Sequence, residues 1–414
     1  MDFEDSRITT RPANRLWTRD FILLSLGLAC ISFTNYGATT IMAFYVAKIS
    51  GSLMYSGIVG GAFSIASLVL RPVSGFAVNR LGPRKVMLAS TALCVVACAF
   101  HTMAGAIVLL LAFRILHGTG YSFYSTAGSA AAANVVPLAR RSEGMGYYML
   151  GNVIAMAIGP AIVLTIIGEQ TMTEFRTCFL ISAAVCVLAF LMALGLSRRE
   201  GLDGTAHGTG ATPGTAPADL PRTFLGFEAG VLWPCCTGFL ILVSYSAVSL
   251  YLAPYGRDTG WGNVGAFFAV YAVSMLVPRT VAGRFADRYG ADIVMFPSFL
   301  LLMTGYVAVA FAQARWMIYA AGVPLGLAMG MAMPQITTFC ISRCSRERRG
   351  SAAAAYYVAV DSALAFGMVL AGRIVAMFGY RAAYLLCAGS IVAALALYTC
   401  TLSGKRGRRR GEGW

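Results

Sequence analysis

Only 12% of the 414 residues are charged while 58% are hydrophobic. A soluble domain carries about twice that charge and cannot bury so much apolar surface, so the soluble globular class is excluded and lipid is the better solvent for most of the chain. The net charge of +15 invites a nucleic-acid partner, and where the charges fall along the chain decides what it means.

In chain order, roughly twenty polar and charged residues come before the first apolar run, with no small-residue cleavage site behind it; the run is expected to stay as a span and not leave as a signal peptide. Uncharged runs at 21–47 and 49–70 follow. Each is long enough for a helix of about 20 residues across a bilayer. The stretch 86–138 holds one charge, Arg114, and is too long for one span. It must fold back, most easily at His101-Thr102-Met103-Ala104-Gly105. Further runs occupy 144–168, 293–314 and 382–404. Counting this way predicts twelve helices. A closed β-barrel would show short alternating segments, whereas these runs are continuously apolar.

The apolar pattern breaks at length at 197–224, where Gly, Thr, Pro and Ala recur around His207 as in a flexible linker. The expected organisation is a six-helix bundle over 1–196, a cytoplasmic linker over 197–225, and a second bundle with a basic cytoplasmic tail over 226–414.

If successive helices alternate in direction, one side collects most of the 32 Lys and Arg residues, including Arg80, Arg84, Lys85, Arg140, Arg141, Arg198, Arg288, Arg349 and the run 405–410. The other side holds Lys48, Arg176, Arg257, Arg315, Arg373 and Arg381. This is the positive-inside asymmetry, and it places both termini in the cytoplasm of a cell with the protein in its inner membrane. The basic balance reads as topology and calls for no nucleic acid. The eleven cysteines sit singly in apolar stretches, apart from Cys235-Cys236 and the pair Cys340 and Cys344. They read as small buried hydrophobes, with no metal site and no cofactor.

The two halves repeat each other. The segment from Arg71 through Gly75, Asn79 and Arg80 to Gly82 recurs 208 residues on, from Arg279 through Gly283, Asp287 and Arg288 to Gly290. The shared frame is RxVxGxxx[ND]RxG. The same shift maps Gly118 onto Gly326 and Gly159 onto Gly367, and a shift of 209 maps Tyr147-Tyr148 onto Tyr356-Tyr357 and Asn152 onto Asp361. A parallel six-plus-six repeat is the architecture of carriers that rock two bundles about a central site.

The loop Gly75-Phe-Ala-Val-Asn79-Arg80-Leu-Gly82-Pro-Arg84-Lys85 resembles the signature loop of the major facilitator superfamily, and 283–290 matches its Gly-x-x-x-Asp-Arg-x-Gly pattern outright. The segment from Arg114 through His117 and Gly118 to Gly120 is similar to the family's arginine and glycine stretch. Gly151 to Gly159-Pro160 resembles the Gly-Pro motif of its antiporter branch. The resemblance covers nearly the whole chain. It implies an all-α membrane fold of two pseudo-symmetric six-helix bundles, gated by Arg71, Gly75, Asn79, Arg80, Gly82, Arg84, Arg279, Gly283, Asp287, Arg288 and Gly290. Gly75 and Gly283 would let helices approach closely, and Asp287 would meet a helix N-terminus at the cytoplasmic rim. Asn79 departs from the family's usual Asp and implies a weaker latch in the first half. Gly151, Gly159 and Pro160 would kink and tightly pack the fifth helix.

Charges deep in a membrane helix are costly and mark function. Asp361 is the one carboxylate well inside an apolar run, about 18 Å of helix beyond Arg349, and is expected to be the proton-coupling acid, or else a structural Asp at a helix interface. Arg114 would act in coupling or hold a buried network, paired with Asp361 or with backbone carbonyls. His117, one turn on, would handle protons or simply pack. Candidates for the cavity wall are Asn35, Tyr36, Tyr121, Tyr124, Asn152, Tyr245, Tyr251, Tyr271 and Gln335. Tyr45 and Tyr255, near helix ends, suit the interfacial belt. Aromatic walls with few fixed charges fit amphipathic or cationic organic molecules.

The chain has no GxxxxGK[ST] loop and no cytoplasmic segment long enough for a nucleotide-binding domain, so an ATP-driven pump is not expected. No paired carboxylates, metal-ligand cluster or nucleophile–base spacing points to an enzyme. The function expected is secondary export of small molecules against protons, by a chain that works as a monomer in the bilayer. The alternatives are an exporter of one metabolite, such as a metallophore or sugar, and a proton-coupled importer.

Overall fold

The computed structural model describes residues 15–103, 105–137, 140–198, 223–224, 227–279, 282–342 and 349–411. Side chains at 141–142, 223–229, 284, 287, 341–354 and 401–411 lie outside the description. Most of the segment read as a linker, and the side chains of the basic tail, therefore fall outside the described residues. The first six helices are α1 (Arg19–Ser50), α2 (Leu53–Leu81), α3 (Pro83–His101), α4 (Ile107–Val135), α5 (Arg141–Ile166) and α6 (Met172–Leu194). After a two-residue ladder pairing Thr223 with Glu228 and Phe224 with Phe227 come α7 (Ala229–Asp258), α8 (Ala266–Arg279), α9 (Ala282–Tyr289), α10 (Asp292–Ala310), α11 (Arg315–Ser342) and α12 (Arg349–Gly411).

Ten of these helices are long and apolar enough to cross a membrane. α12 carries 46 such residues, twice a span, and breaks at Gly379, whose φ of 80° and ψ of 175° end one limb and start the next. α8 alone is shorter than a bilayer and continues past two residues into α9. With α12 counted as two limbs and α8 taken together with α9, the described residues come to about the twelve crossings expected. The fold-back between the third and fourth falls where the sequence places it, after His101 and before Ile107.

Local chemistry sets the helix ends. Thr18 and Ser52 cap α1 and α2 by accepting from the backbone N–H of Phe21 and Met54. Thr171 and Glu174 form a reciprocal capping box at the start of α6. The joints after α2 and after α9 use Gly82 at φ 85° and Gly290 at φ 93°, equivalent positions of the repeat, each at a backbone angle that a side chain would strain.

The repeat in sequence is also a repeat in packing. A Cβ on Gly118 of α4 would overlap the carbonyl oxygen of Phe63 in α2, and one on Gly326 of α11 would overlap that of Tyr271 in α8; both members of the pair are shifted by 208. Gly159 of α5 lies against Phe33 and Gly37 of α1, as Gly367 of α12 lies against Val243 and Ser246 of α7. Glycine allows each crossing at backbone distance. Large apolar side chains such as Leu180, Leu191, Leu300 and Phe366 face outward, as lipid contact requires.

The end of the molecule bearing Arg19, Gly82, Gly290 and Cys400 is the near face, and the end bearing Gly51, Ile167, Gly260 and Gly379 is the far face. A continuous apolar core crosses between the bundles toward the far face, joining Ile41, Val59, Val163 and Phe175 to Leu250, Tyr255, Phe267 and Met368. Toward the near face the first bundle keeps a core of its own, around Phe21, Leu24, Val86, Ala127 and Ala189. The bundles are thus joined at the far face, and the described cross-bundle bonds lie there or midway. Tyr251 donates to the Leu53 carbonyl at 3.3 Å. Asn263 donates to the Leu164 carbonyl at 3.1 Å and Arg257 to that of Gly168 at 3.2 Å. The last two cover free carbonyls at the end of α5, where the helix dipole favours a cation. Gln170 extends this latch by accepting from Lys48 through its backbone carbonyl.

Candidate functional site

Midway between the faces, Asp361 on the first limb of α12 meets Arg71 on α2. The guanidinium Nε donates to Oδ2 at 2.5 Å, and Ser67, one turn before Arg71, donates to the same oxygen at 3.3 Å. The Arg71 guanidinium also lies over the ring of Tyr357 at 4.7 Å. Asp361 is buried, and the pair is the one ion pair recorded between the bundles among the described residues. Breaking such a pair by removing the charge of one partner leaves the other stranded in low dielectric. The arrangement is therefore a charge-assisted bond between the two bundles.

Arg114 does not reach Asp361, which corrects one of the pairings considered from sequence. α2 packs on both α4 and α12 and presents Arg71 in that place. Arg114 is fully buried inside the first bundle, where it donates to Thr39 at 2.9 Å and lies over the Phe63 ring at 4.8 Å. Its other contact is His117 Nδ1 at 3.5 Å. A ring accepting there carries its proton on Nε2, which faces Thr34 Oγ1 at 3.4 Å. His101 stands 6.3 Å from His117 ring to ring, with its Nδ1 on the Ala97 carbonyl. The sequence reading did not single out His101, and its place at the end of an apolar helix marks it poorly.

The cavity candidates divide into three groups. Tyr36 donates to the Asn152 side-chain oxygen at 3.0 Å, and the Asn152 amide donates to Ser32 at 3.0 Å. Across from them the rings of Tyr245 and Tyr271 stack at 5.9 Å. Tyr121 packs beside Phe63, and Asn35 Oδ1 and Tyr271 Oη are buried without a hydrogen-bond partner. These six residues stand where the bundles face each other. Tyr124 belongs elsewhere: it is core of the first bundle, with its hydroxyl against Gly27. Tyr251 lies in the far-face closure, and Gln335 is buried on α11. Tyr45 and Tyr255 are likewise packed inward, against Phe175 and Phe179 and against Trp261, Tyr380 and Tyr384. A tyrosine in an apolar helix looks the same in sequence whether it faces core, closure or cavity.

The gating motif sits at the near face. A Cβ on Gly75 or Gly283 would meet nothing within 4 Å, so neither is a close-approach glycine in this conformation, contrary to expectation. Close packing at these two glycines would arise only in a conformation that brings another helix onto them. Asn79, Arg80 and Arg288 are exposed, and Arg84 donates to the Leu194 carbonyl at 3.0 Å. The side chain of Asp287 lies outside the described residues. In α5, Pro160 sits inside a continuous helix, while Gly151 and Gly159 abut the backbone of α1. The described cysteines are free thiols, and no group of three or more His, Cys, Asp or Glu side chains that could hold a metal occurs among the described residues.

The Major Facilitator Superfamily model matches residues 24–279 and 262–413. A "Staphylopine export protein" of Staphylococcus aureus is 23% identical over 341 residues, covering 80% of this chain and 83% of that one. A "Multidrug resistance protein MdtG" of Escherichia fergusonii is 25% identical over 414 residues, covering 96% of each. Among solved structures, the nucleoside transporter NupG superposes with a TM-score of 0.72 at 13% identity, over 92% of this chain and 99% of that one. A POT family transporter bound to a conjugated peptide gives 0.76 at 12% identity, over 93% and 96%. At such identities the structural likeness speaks for the fold alone.

Proposed function

The chain belongs to the major facilitator superfamily and is a multi-pass membrane transporter; on that premise we propose that it is a proton-coupled antiporter that exports small organic molecules by alternating access. The observation that carries this reading is the Arg71–Asp361 pair, a buried carboxylate bonded across the two bundles midway through the fold. Proton binding at Asp361 loosens the pair and frees the bundles to rock. Proton release restores it. Arg114 and His117 act as a fixed basic core of the first bundle in this scheme. The rims carrying Asn79–Arg84 and Asp287–Gly290 close the near face in the opposite state.

The positive-inside asymmetry supports reading the near face as the cytoplasmic side of the inner membrane and the conformation described as inward-facing. The aromatic wall of Tyr36, Tyr121, Tyr245 and Tyr271 supplies stacking surface for an organic solute. Export is favoured by the names of the multidrug and staphylopine relatives. The staphylopine relative also favours a second reading, in which one defined metabolite is carried on the same scaffold. One chain suffices for the pathway, so the protein is assigned as a monomer.

Ethidium accumulation in cells expressing the protein tests the proposal, with and without a protonophore and against Asp361→Asn at matched membrane expression. Lower accumulation that vanishes with the protonophore and with the variant is the expected result. Accumulation equal to control cells would remove broad cation export and transfer the weight to the defined-metabolite reading. Accumulation above control would indicate import.

A further inference from the structure

The repeat places Arg71 and Arg279 at one position and Asn152 and Asp361 at another. It also pairs the helices: α2 packs on α12 across the bundles, and α8 packs on α5. The operation that brings Arg71 to Asp361 therefore brings Arg279 toward Asn152. There the two sides part. Asp361 carries a negative charge for Arg71, whereas Asn152 is neutral and spends its amide on Tyr36 and Ser32.

Arg279 is left without a hydrogen-bond or ion-pair partner among the described residues, and its Nε is buried and unsatisfied. Tyr271, Tyr356 and Tyr36 stand near it among the described residues. The hydroxyl of Tyr271, a residue only 2% exposed, is also unsatisfied. Arg279 as a whole is half-buried, so its unsatisfied Nε lies beside space that a ligand can reach, and an unpaired cation at that depth is costly to keep. One whose symmetry mate holds a carboxylate stands in a place shaped to receive one.

We propose that Arg279 is the anion receptor of the transport site, and that the carboxylate of a small organic acid or zwitterion completes there the ion pair that Asp361 completes for Arg71. The planar guanidinium fork matches a carboxylate in two parallel hydrogen bonds, which favours that group over a point anion. Tyr271 Oη adds a donor beside it, and the rings of Tyr36 and Tyr245 receive an apolar or aromatic body. This rests on the transporter reading but goes beyond it, naming a carboxylate-bearing substrate class beside the organic cations of the ethidium test, and it depends on neither the direction of transport nor the coupling ion.

The test is equilibrium binding to the purified full-length protein in lipid nanodiscs, with no gradient present. The probes are N-acetylphenylalanine and its uncharged amide, read by thermal unfolding and by competition, with chloride as the simple-anion control. The acid is expected to bind about tenfold or more tightly than the amide, as loss of a charged hydrogen bond implies. Arg279→Gln should erase that preference and Arg279→Lys should keep part of it. Asn152→Asp should erase it as well, by supplying the missing carboxylate in place. It should also raise thermal stability in the wild-type background but not beside Arg279→Gln, which keeps the test decisive if the Arg279 variants fold poorly. Equal binding of acid and amide, a preference untouched by Asn152→Asp, or the same shift with chloride alone would each overturn the proposal. Failure of gradient-driven export in cells would leave the binding result standing, and the reverse holds too, so the two readings fall separately.

Discussion

Arg71 and Arg114 are both arginines of apolar helices in the first bundle, and the fold holds them in opposite ways. Arg114 is fully buried among groups of its own bundle, a threonine hydroxyl, a phenylalanine face and a histidine nitrogen, with its Nε left without a partner. None of these belongs to the second bundle, so rocking the bundles leaves its surroundings unchanged. Arg71 reaches out of its bundle to a carboxylate and an aromatic ring of the other, and is 16% exposed where it does so. Its shell must change when the bundles move. A buried cation solvated by neutral groups of one rigid body is structural. In the mechanism proposed, one paired across two moving bodies acts as a switch.

The comparison breaks most readily at the pair. Asp361→Ala strands the Arg71 charge and is expected to cost about 3–5 kcal/mol. Thermal unfolding in detergent should show this loss largely recovered in Arg71→Met/Asp361→Leu, a double variant that folds but does not respond to a proton gradient. A double variant no more stable than the single one would mean that the pair is not the source of the loss.

A smaller effect is expected on the other side. Thr39→Val removes a hydrogen bond to the charged Arg114, worth about 1.5–3 kcal/mol. It should lower the unfolding temperature while leaving the protonophore sensitivity of transport as it is, because Thr39 and Arg114 move together. A change in that sensitivity would place Arg114 in the coupling machinery after all.

The two aromatic faces sharpen the contrast further. Tyr357→Leu and Phe63→Leu each remove a cation–π contact of about 0.5–2 kcal/mol. The first should alter the rate of transport, since its arginine belongs to the opposite bundle, and the second mainly stability. Transport rates and unfolding temperatures measured side by side check this. Smallest of all, Ser67→Ala gives up one hydrogen bond of about 0.5–1.5 kcal/mol and should alter the pH profile of transport, since Ser67 shares the Asp361 oxygen with Arg71. An unchanged profile would remove Ser67 from the switch.

Much of the fold was legible because its signals are local. Runs of about 20 apolar residues need no partner to be recognised as spans, and the fold-back after His101 needed only a stretch too long for one. Glycines at 82, 118, 290 and 326 repeat at one offset, and each is required by its own turn or crossing. The candidate site was less legible. Asp361 and Arg114 stand out in the sequence as charges in apolar surroundings, yet Arg71 and Arg279 read there as parts of a rim motif, and Arg114 reads as a possible partner for Asp361. Arg71 and Asp361 are separated by 290 residues. No periodicity within either helix states which residue of the other it will face. Tyr124 and Tyr251 were misplaced for the same reason, since burial against core, closure or cavity is a property of neighbours.

What the sequence determined by itself is the solvent, the number of crossings, the internal repeat and the single deep carboxylate. These follow from transfer free energies and spacing, which each segment carries alone. The tertiary structure decided which charges meet. It set Arg71 against Asp361, enclosed Arg114 within the first bundle and left Arg279 Nε without a partner. An ion pair depends on distances of a few ångströms between helices, and those distances are set by how the glycine crossings let two bundles pack.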